Sequence, residues 1–159
     1  MKFLIMKLSF LITFVSYSNE IILKMEGSGR GKEYEVMQLD NKSKVVLYKT
    51  EGNFKTDLDL YGSTDCLGVF KKINNAADLD LTCEFVDQNN NKMWATITRK
   101  TEDIDAGVGR MFILGGSGKW NYLIGTSCKY AVTLNSSIWF TSTICNVDQD
   151  KYSKFKKEQ

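Results

Sequence analysis

One arginine lies in a sequence context where its charge could act on a bound molecule. Arg110 alternates with Val108, Phe112 and Leu114, and alternate residues of a β-strand point to the same side. A strand here would place the guanidinium of Arg110 on an apolar face, where a charge requires a partner. That partner is either a buried carboxylate in a structural ion pair, which is the commoner arrangement, or an acidic ligand in a cavity. The sequence leaves both interpretations open.

Aromatic side chains supply a second feature that a binding site needs. They could fill the interior of a small barrel or line a ligand cavity inside it, and the sequence does not separate these alternatives. The residues concerned are Trp94, Trp120, Trp139, Phe70, Phe85, Phe112 and Tyr130. From these observations we take Arg110, Trp94, Phe112 and Tyr130 as the candidate ligand-binding residues.

The lack of histidine in this sequence limits the chemistry. It excludes Ser-His-Asp and Cys-His catalysis and any His-ligated zinc or copper site. An acid–base step would have to use carboxylates, Lys, Tyr or Cys. Glu84 becomes a candidate only if a bulge turns it inward, because alternation points it outward as a solvated carboxylate. Catalytic residues therefore stay unassigned, and no cofactor is predicted.

Two short motifs resemble loops that bind ions or phosphates but lack essential residues. Residues 87–91 begin like a calcium loop, yet Lys92 and Thr98 stand where Gly and Glu are needed. A polar hairpin turn is the better interpretation. Residues 115–119 do not meet the Gly-x4-Gly-Lys-Ser/Thr spacing of a phosphate loop. We therefore interpret these glycines as structural and predict no metal site.

The first residues have the features of a secretory signal peptide. Lys2 and Lys7 accompany a short apolar run, and Ser16 and Ser18 provide small residues at the cleavage positions. We predict a signal peptide over residues 1–18, with the mature chain beginning near Asn19. The alternative, an uncleaved membrane anchor, needs about 20 apolar residues, more than this run contains. The mature protein is expected to be secreted or periplasmic, with no membrane attachment.

The balance of charge gives no reason to expect nucleic acid as a partner. The sequence has 21 Lys and Arg against 19 Asp and Glu, and signal cleavage would remove Lys2 and Lys7 and leave a nearly neutral chain. Scattered and balanced charge offers no electrostatic basis for such binding. N-glycosylation sequons begin at Asn41 and Asn135 and matter only if the source glycosylates exported proteins. The sequence does not determine the oligomeric state.

The elements that must position these residues are short β-strands. Hydrophobic alternation with a period of two is clearest over residues 54–60 and 78–85, and Gly, Asn and Asp occupy the turns. This predicts a single all-β domain, a barrel or sandwich, over residues 19–147. Residues 148–159 are lysine-rich without a core pattern, which indicates a loose basic C-terminal tail or a short surface helix. The candidate strands are 20–26, 33–39, 44–49, 54–61, 66–73, 76–86, 92–99, 108–114, 127–134 and 138–146.

The four cysteines predict two cross-strand disulfides. Four cysteines in an exported chain allow three connectivities. A two-residue hairpin loop at residues 74–75 would place Cys66 opposite Cys83, and the same loop at residues 136–137 would place Cys128 opposite Cys145. Both pairs would occupy non-hydrogen-bonded sites, where facing side chains approach closely. The alternatives, a redox pair or a four-cysteine zinc site, need a closer spacing than the sequence provides.

The glycine-rich segment 115–125, Gly-Gly-Ser-Gly-Lys-Trp-Asn-Tyr-Leu-Ile-Gly, connects the sequence with a known family. It resembles the Gly-Gly-Thr-Gly-Lys-aromatic segment of secreted bacterial proteins with an allene oxide cyclase-like barrel of the calycin and dirigent kind. Segments 66–70 (Cys-Leu-Gly-Val-Phe) and 81–87 (Leu-Thr-Cys-Glu-Phe-Val-Asp) precede it in the same order. The resemblance implies an antiparallel eight-stranded β-barrel. We expect Gly115, Gly116, Gly118 and Gly125 to shape its backbone rather than to perform chemistry.

Two functions are compatible with this resemblance. The first is an exported, disulfide-stabilised barrel that binds a small apolar molecule, with a cyclase-like isomerisation as the activity that the resemblance implies. The alternative is a non-catalytic extracytoplasmic structural or interaction module with a filled barrel. A cavity above about 300 Å³ with an open mouth would favour the first, because ligand pockets begin near that size. A plugged barrel would favour the second.

Overall fold

The structure is a computed structural model that describes residues 20–103 and 105–157, and eight strands in these ranges form one closed antiparallel barrel. Each strand pairs with the next in the sequence, and the last pairs with the first. The strands are β1 (Glu20–Gln38), β2 (Lys44–Thr56), β3 (Tyr61–Ile73), β4 (Ala76–Asp87), β5 (Lys92–Thr101), β6 (Ala106–Gly116), β7 (Ser127–Asn135) and β8 (Ile138–Asp148). The predicted eight-stranded antiparallel β-barrel is confirmed. The signal peptide predicted for residues 1–18 lies outside the described residues.

Alternation along each strand decides which side chains fill the barrel. In β4, Leu81, Cys83 and Phe85 are buried, whereas Thr82 is exposed and Glu84 is half-exposed. Successive side chains of a strand point to opposite faces, so every second residue enters the interior. Removing these apolar side chains from water is the main driving force for closing the barrel.

β1 is longer than the sequence predicted. Residues 27–32 were expected to form a loop between two strands, but β1 runs through them without a break. The reason lies on the neighbouring strand β8, where Trp139 pairs with Gly29 and its indole covers the inward positions Gly27 and Gly29. An ideal Cβ on Gly29 would lie 2.5 Å from Cζ2 of Trp139. Glycine is needed at these positions because a side chain would leave no room for the indole. A glycine inside a strand can therefore mark close packing rather than a turn.

Both predicted hairpin registers and both predicted disulfides are confirmed. Ile73 pairs with Ala76 and Asn135 pairs with Ile138, so each turn has two residues. Cys66 and Cys83 are bonded with their Cα atoms 4.0 Å apart. The corresponding distance between Cys128 and Cys145 is 4.1 Å. Side chains this close suit the non-hydrogen-bonded sites of an antiparallel ladder.

Two short helices close one end of the barrel. A 3-10 helix (Gly118–Leu123) lies between β6 and β7, and helix α1 (Gln149–Lys157) follows β8. Trp120 of the first and Phe155 of the second are fully buried, with ring centroids 5.1 Å apart. Of the two alternatives for residues 148–159, a loose tail or a short surface helix, the structure has a short helix, but the expectation that the segment lacks a core pattern is wrong at Phe155. No helix in the described ranges is long and apolar enough to cross a membrane.

Candidate ligand-binding cavity

A cavity of about 230 Å³ lies inside the barrel. Phe54 marks its floor, because this ring lines the cavity and also packs edge-to-face against Trp120, with centroids 6.1 Å apart. Glu33, Asp105 and Ser136 line the cavity near the hairpins at the other end, which we call the mouth. The wall between is mostly apolar and includes Met25, Phe70, Leu79, Leu81, Phe85, Ile97, Met111, Val132 and Leu134.

Arg99 brings a positive charge into this cavity. It continues the inward-facing row of Met93, Ala95 and Ile97 along β5, and it is only 5% exposed. Its side chain lies against Gly107 of β6, where an ideal Cβ would be 3.2 Å from both Cδ and Nη1. Gly107 therefore leaves the space that the arginine occupies.

Tyr130 of β7 lies over the next inward position of β6. It pairs with Gly109, where an ideal Cβ would lie 2.5 Å from the ring atoms Cε1 and Cζ. The hydroxyl is buried and has no hydrogen-bond partner in the described part of the chain. Burial raises the pKa of Tyr130 to about 12, and the positive charge of Arg99 opposes that rise. At neutral pH the hydroxyl is therefore protonated and can donate a hydrogen bond.

Tyr48 of β2 lines the cavity beside Glu33 of β1. Burial is the largest cause raising the pKa of Tyr48, the carboxylate of Glu33 raises it further, and Arg99 lowers it. Lys44 donates hydrogen bonds of 2.6 and 2.9 Å to the two carboxylate oxygens of Glu33. The negative charge of Glu33 at the mouth thus has a cation beside it, and Arg99 acts electrostatically on both tyrosines.

Trp139 adds a hydrogen-bond donor to the wall. Its ring covers Gly27, Gly29 and Gly52, and it lines the cavity. Its Nε1 is buried and has no hydrogen-bond partner among residues 20–103 and 105–157. Indole nitrogen only donates, so it can be satisfied only by an acceptor brought into the cavity.

The structure separates the four predicted ligand-binding residues. Tyr130 lies inside the barrel and lines the cavity. Arg110, Trp94 and Phe112 lie on the outer surface, and Trp94 and Phe112 are 36% and 43% exposed. The expectation that these three face a cavity is therefore wrong.

Two of the misplaced residues, Arg110 and Phe112, lie on β6 and were misplaced for the same physical reason. On β6 the outward row contains Val108, Phe112 and Leu114, while Gly107 and Gly109 face inward beneath large side chains from neighbouring strands. Met111 and Ile113 also face inward, but the outer row contains three large apolar residues against these two, so alternation alone selects the wrong face. Arg99 was missed, although its alternation with the apolar residues of β5 was a usable signal.

Glu84 lies on the outer surface, as alternation predicts. Its Oε2 accepts hydrogen bonds from Nζ of Lys92 at 3.0 Å and from Nε1 of Trp94 at 2.9 Å. These two bonds, that of Lys92 first, lower the pKa of Glu84. The ring of Trp94 in turn lies near Gly115, where an ideal Cβ would be 3.3 Å from its Cε3. This group is a surface cluster without access to the cavity.

The remaining glycines of the segment shape the closed end. An ideal Cβ on Gly116 would lie 2.7 Å from Cβ of Trp120. Gly118 has a φ of +53° and lies against the side-chain oxygen of Asn91, while Gly125 has a φ of +82° with open space around it. Two of these positions therefore need the left-handed conformation that glycine adopts without strain.

Comparison with known proteins supports the fold. No family model and no curated protein sequence matches the chain. The solved structures include a similar chain, the pterocarpan synthase dirigent protein GePTS1, with a TM-score of 0.52 and 12% sequence identity. The match covers 90% of this chain and 98% of that chain. At this identity the likeness shows a shared barrel fold, and a shared fold does not by itself carry an activity.

Proposed function

We propose that this protein binds a small, largely apolar molecule inside its barrel. The observation that carries the proposal is the cavity of about 230 Å³, with its mostly apolar wall and a few polar groups. Ligand sites generally combine an apolar lining with a small number of placed polar groups. The volume lies below the roughly 300 Å³ expected above for a ligand-binding barrel, which is where pockets for drug-sized ligands begin. The proposed ligand is therefore smaller than a drug-sized molecule.

Cyclase-like isomerisation is the catalytic form of this proposal. Apolar walls can hold a reactive chain in a folded conformation, which lowers the entropic part of a cyclisation barrier. The protonated hydroxyl of Tyr130, whose pKa is raised to about 12, can donate a hydrogen bond to an oxygen that gains charge. The similar solved barrel is named a synthase, and an allene oxide cyclase-like reaction is the activity of the family that the glycine-rich segment resembles.

A non-catalytic interaction module is the second candidate. One outer strand carries Val108, Phe112 and Leu114, which are 66%, 43% and 49% exposed. Exposed apolar side chains grouped on one surface mark interaction sites more often than isolated ones do. In this alternative the barrel is filled by its own side chains and carries no small molecule, and the cavity of about 230 Å³ makes it the weaker candidate.

Export belongs to the proposal as well. Two disulfides without a free cysteine in the described ranges favour an oxidising compartment outside the cytoplasm. Amino-terminal sequencing of protein recovered from the secreted or periplasmic fraction should then begin near Asn19. Recovery of soluble exported protein that still begins at Met1 would contradict cleavage.

Native mass spectrometry of protein purified from its own host tests ligand binding directly. We expect a small molecule that remains bound under native conditions and is released on denaturation. The variant Val132→Phe adds a ring to the cavity wall and should lose that molecule. The matched variant Val108→Phe changes the outer surface and should keep it. Protein that carries no small molecule, or retention unaffected by Val132→Phe, would contradict the proposal.

A further inference from the structure

The cavity wall carries buried donors that the protein itself leaves unused. The hydroxyl of Tyr130 and Nε1 of Trp139 are buried, and neither has a hydrogen-bond partner in the described part of the chain. Buried polar groups are nearly always paired, so each exception calls for an explanation. Both residues line the same cavity, so an acceptor on a bound molecule would satisfy them.

The position of Arg99 gives this region a positive charge. Arg99 and Tyr130 lie over adjacent inward positions of β6, Gly107 and Gly109. The guanidinium is close enough to change the pKa of both Tyr130 and Tyr48. Arginine donates in a planar fork that matches the two oxygens of a carboxylate.

The negatively charged side chains that line the cavity lie outside the strands of Arg99 and Tyr130. Glu33 lies at the mouth and is bound to Lys44 at 2.6 Å. Asp105 lies in the exposed β5–β6 hairpin. Glu26 on β1 also lines the cavity and is exposed. None of these three carboxylates lies within β5, β6 or β7, so the strands that carry and face Arg99 and Tyr130 contribute no carboxylate to the cavity.

We propose that the ligand is a small monocarboxylate whose carboxylate is bound by Arg99 and Tyr130, with its apolar chain against the lower wall. Trp139, whose ring lies over β1 and β2, provides a further donor in the same cavity. This inference rests on the proposed function, since it names the class of molecule that the cavity takes. A molecule of this class has one charged head, which Arg99 neutralises, and a short apolar tail, which the phenylalanine-lined floor removes from water.

Octanoate and 1-octanol are suitable probes, because they have the same chain length and differ in the charge of the head group. We expect calorimetric titration to show at least tenfold tighter binding of octanoate. Tyr130→Phe removes one donor and Arg99→Met removes the charge, and each should weaken octanoate binding about tenfold while changing 1-octanol binding little. Tyr61→Phe and Arg110→Met make the same changes on the outer surface and should alter neither.

The three tryptophans provide a readout with internal controls. The indole N–H of Trp94 is bonded to Glu84, that of Trp120 is bonded to Asp87, and that of Trp139 has no partner in the described ranges. In a ¹H–¹⁵N spectrum, octanoate should shift the Trp139 indole signal and leave the signals of Trp94 and Trp120 in place. Single Trp→Phe variants would assign the three signals.

The outcomes separate this inference from the proposed function. Equal or tighter binding of 1-octanol would overturn the carboxylate assignment and leave ligand binding intact. Binding of neither probe would overturn both. Octanoate binding that persists in Tyr130→Phe and Arg99→Met would show that the head group lies elsewhere and would also overturn the assignment. Because the hydroxyl of Tyr130 has no partner in the described ranges, Tyr130→Phe should fold even if Arg99→Met does not.

Discussion

Nε1 of Trp120 donates a hydrogen bond of 3.0 Å to Oδ2 of Asp87, and both residues are buried at the closed end of the barrel. The other oxygen of Asp87 accepts hydrogen bonds from the backbone N–H groups of Asn89 and Asn91, each at 2.9 Å. One carboxylate therefore orders the β4–β5 turn and also holds the 3-10 helix. The segment that began like a calcium loop uses its first carboxylate for structure.

We expect Asp87→Asn to lower the free energy of unfolding by roughly 1 to 3 kcal/mol, the range for a lost buried hydrogen bond to a charged group. The single oxygen of an amide can accept from the turn or from Trp120 but not from both. The NH₂ group then faces the N–H group on the other side, and two donors cannot form a hydrogen bond. Urea denaturation measures the change. Asp80→Asn alters an exposed carboxylate on the same strand and should change stability little. Equal effects of the two substitutions would show that the buried contacts of Asp87 do not matter for stability.

The glycine-rich segment makes a second prediction about the same end. Gly116→Val should fail to pack against Trp120, and Gly118→Val should combine backbone strain at a φ of +53° with a clash against Asn91. Left-handed backbone alone costs about 1 kcal/mol or more in a residue with a Cβ, so the melting temperature should fall by roughly 2 to 4 °C or more. Gly115→Val meets only the exposed ring of Trp94 and is the control. Unchanged melting in both test variants would contradict a structural role.

The two disulfides predict a separable effect on binding. Each bridge joins cysteines 17 residues apart, and removing it should cost about 3 kcal/mol in the chain-entropy treatment. Cys66 lines the cavity, so replacing both Cys66 and Cys83 by Ala should also change ligand affinity. The matched double replacement of Cys128 and Cys145 should destabilise the barrel to a similar extent without that change. Thermal melts and titration with octanoate distinguish the two, and non-reducing peptide mapping checks the connectivity.

Features set by local chain geometry could be predicted from the sequence. The disulfide pairing follows from turn length, because a two-residue hairpin fixes which residues face each other. Asn74 and Ser136 accordingly adopt positive φ in these turns, at 55° and 58°. With both turns placed, each hairpin has one pair of cysteines that face each other, so only one of the three connectivities remains.

Features that depend on the volume of side chains from other strands could not be predicted. Trp139 fills the space above Gly29, and Tyr130 fills the space above Gly109. The sequence does not show that these positions need glycine, because the side chain that covers each glycine lies on a different strand. The same limit explains why Arg110 was placed inside: the inward row of β6 contains two glycines beside Met111 and Ile113, and the outward row contains three large apolar residues. Arg99 was overlooked for a different reason, because its alternation with the apolar residues of β5 was visible in the sequence.

The raised pKa of Tyr130 makes a prediction about alkaline stability. Its pKa rises from 10.0 to about 12 on folding, so above the lower value the unfolded state loses a proton that the folded state keeps. This contribution to the free energy of unfolding is therefore complete below the unfolded pKa and is lost as the pH rises through the folded pKa. A shift of this size corresponds to about 2 to 3 kcal/mol.

Tyr130→Phe should remove that part of the pH dependence. Its hydroxyl is buried without a partner in the described ranges, so the variant should be at least as stable as the wild type at neutral pH, because no hydrogen bond is lost. Between about pH 9 and pH 11.5 its free energy of unfolding should fall less steeply than that of the wild type. The free energy of unfolding of this variant should still fall somewhat with pH, because the pKa of Tyr48 is also raised. Tyr61→Phe, at an exposed tyrosine, should follow the wild type. Urea unfolding across this range decides the matter, since parallel curves for Tyr130→Phe and the wild type would mean that the phenol is not desolvated in the barrel.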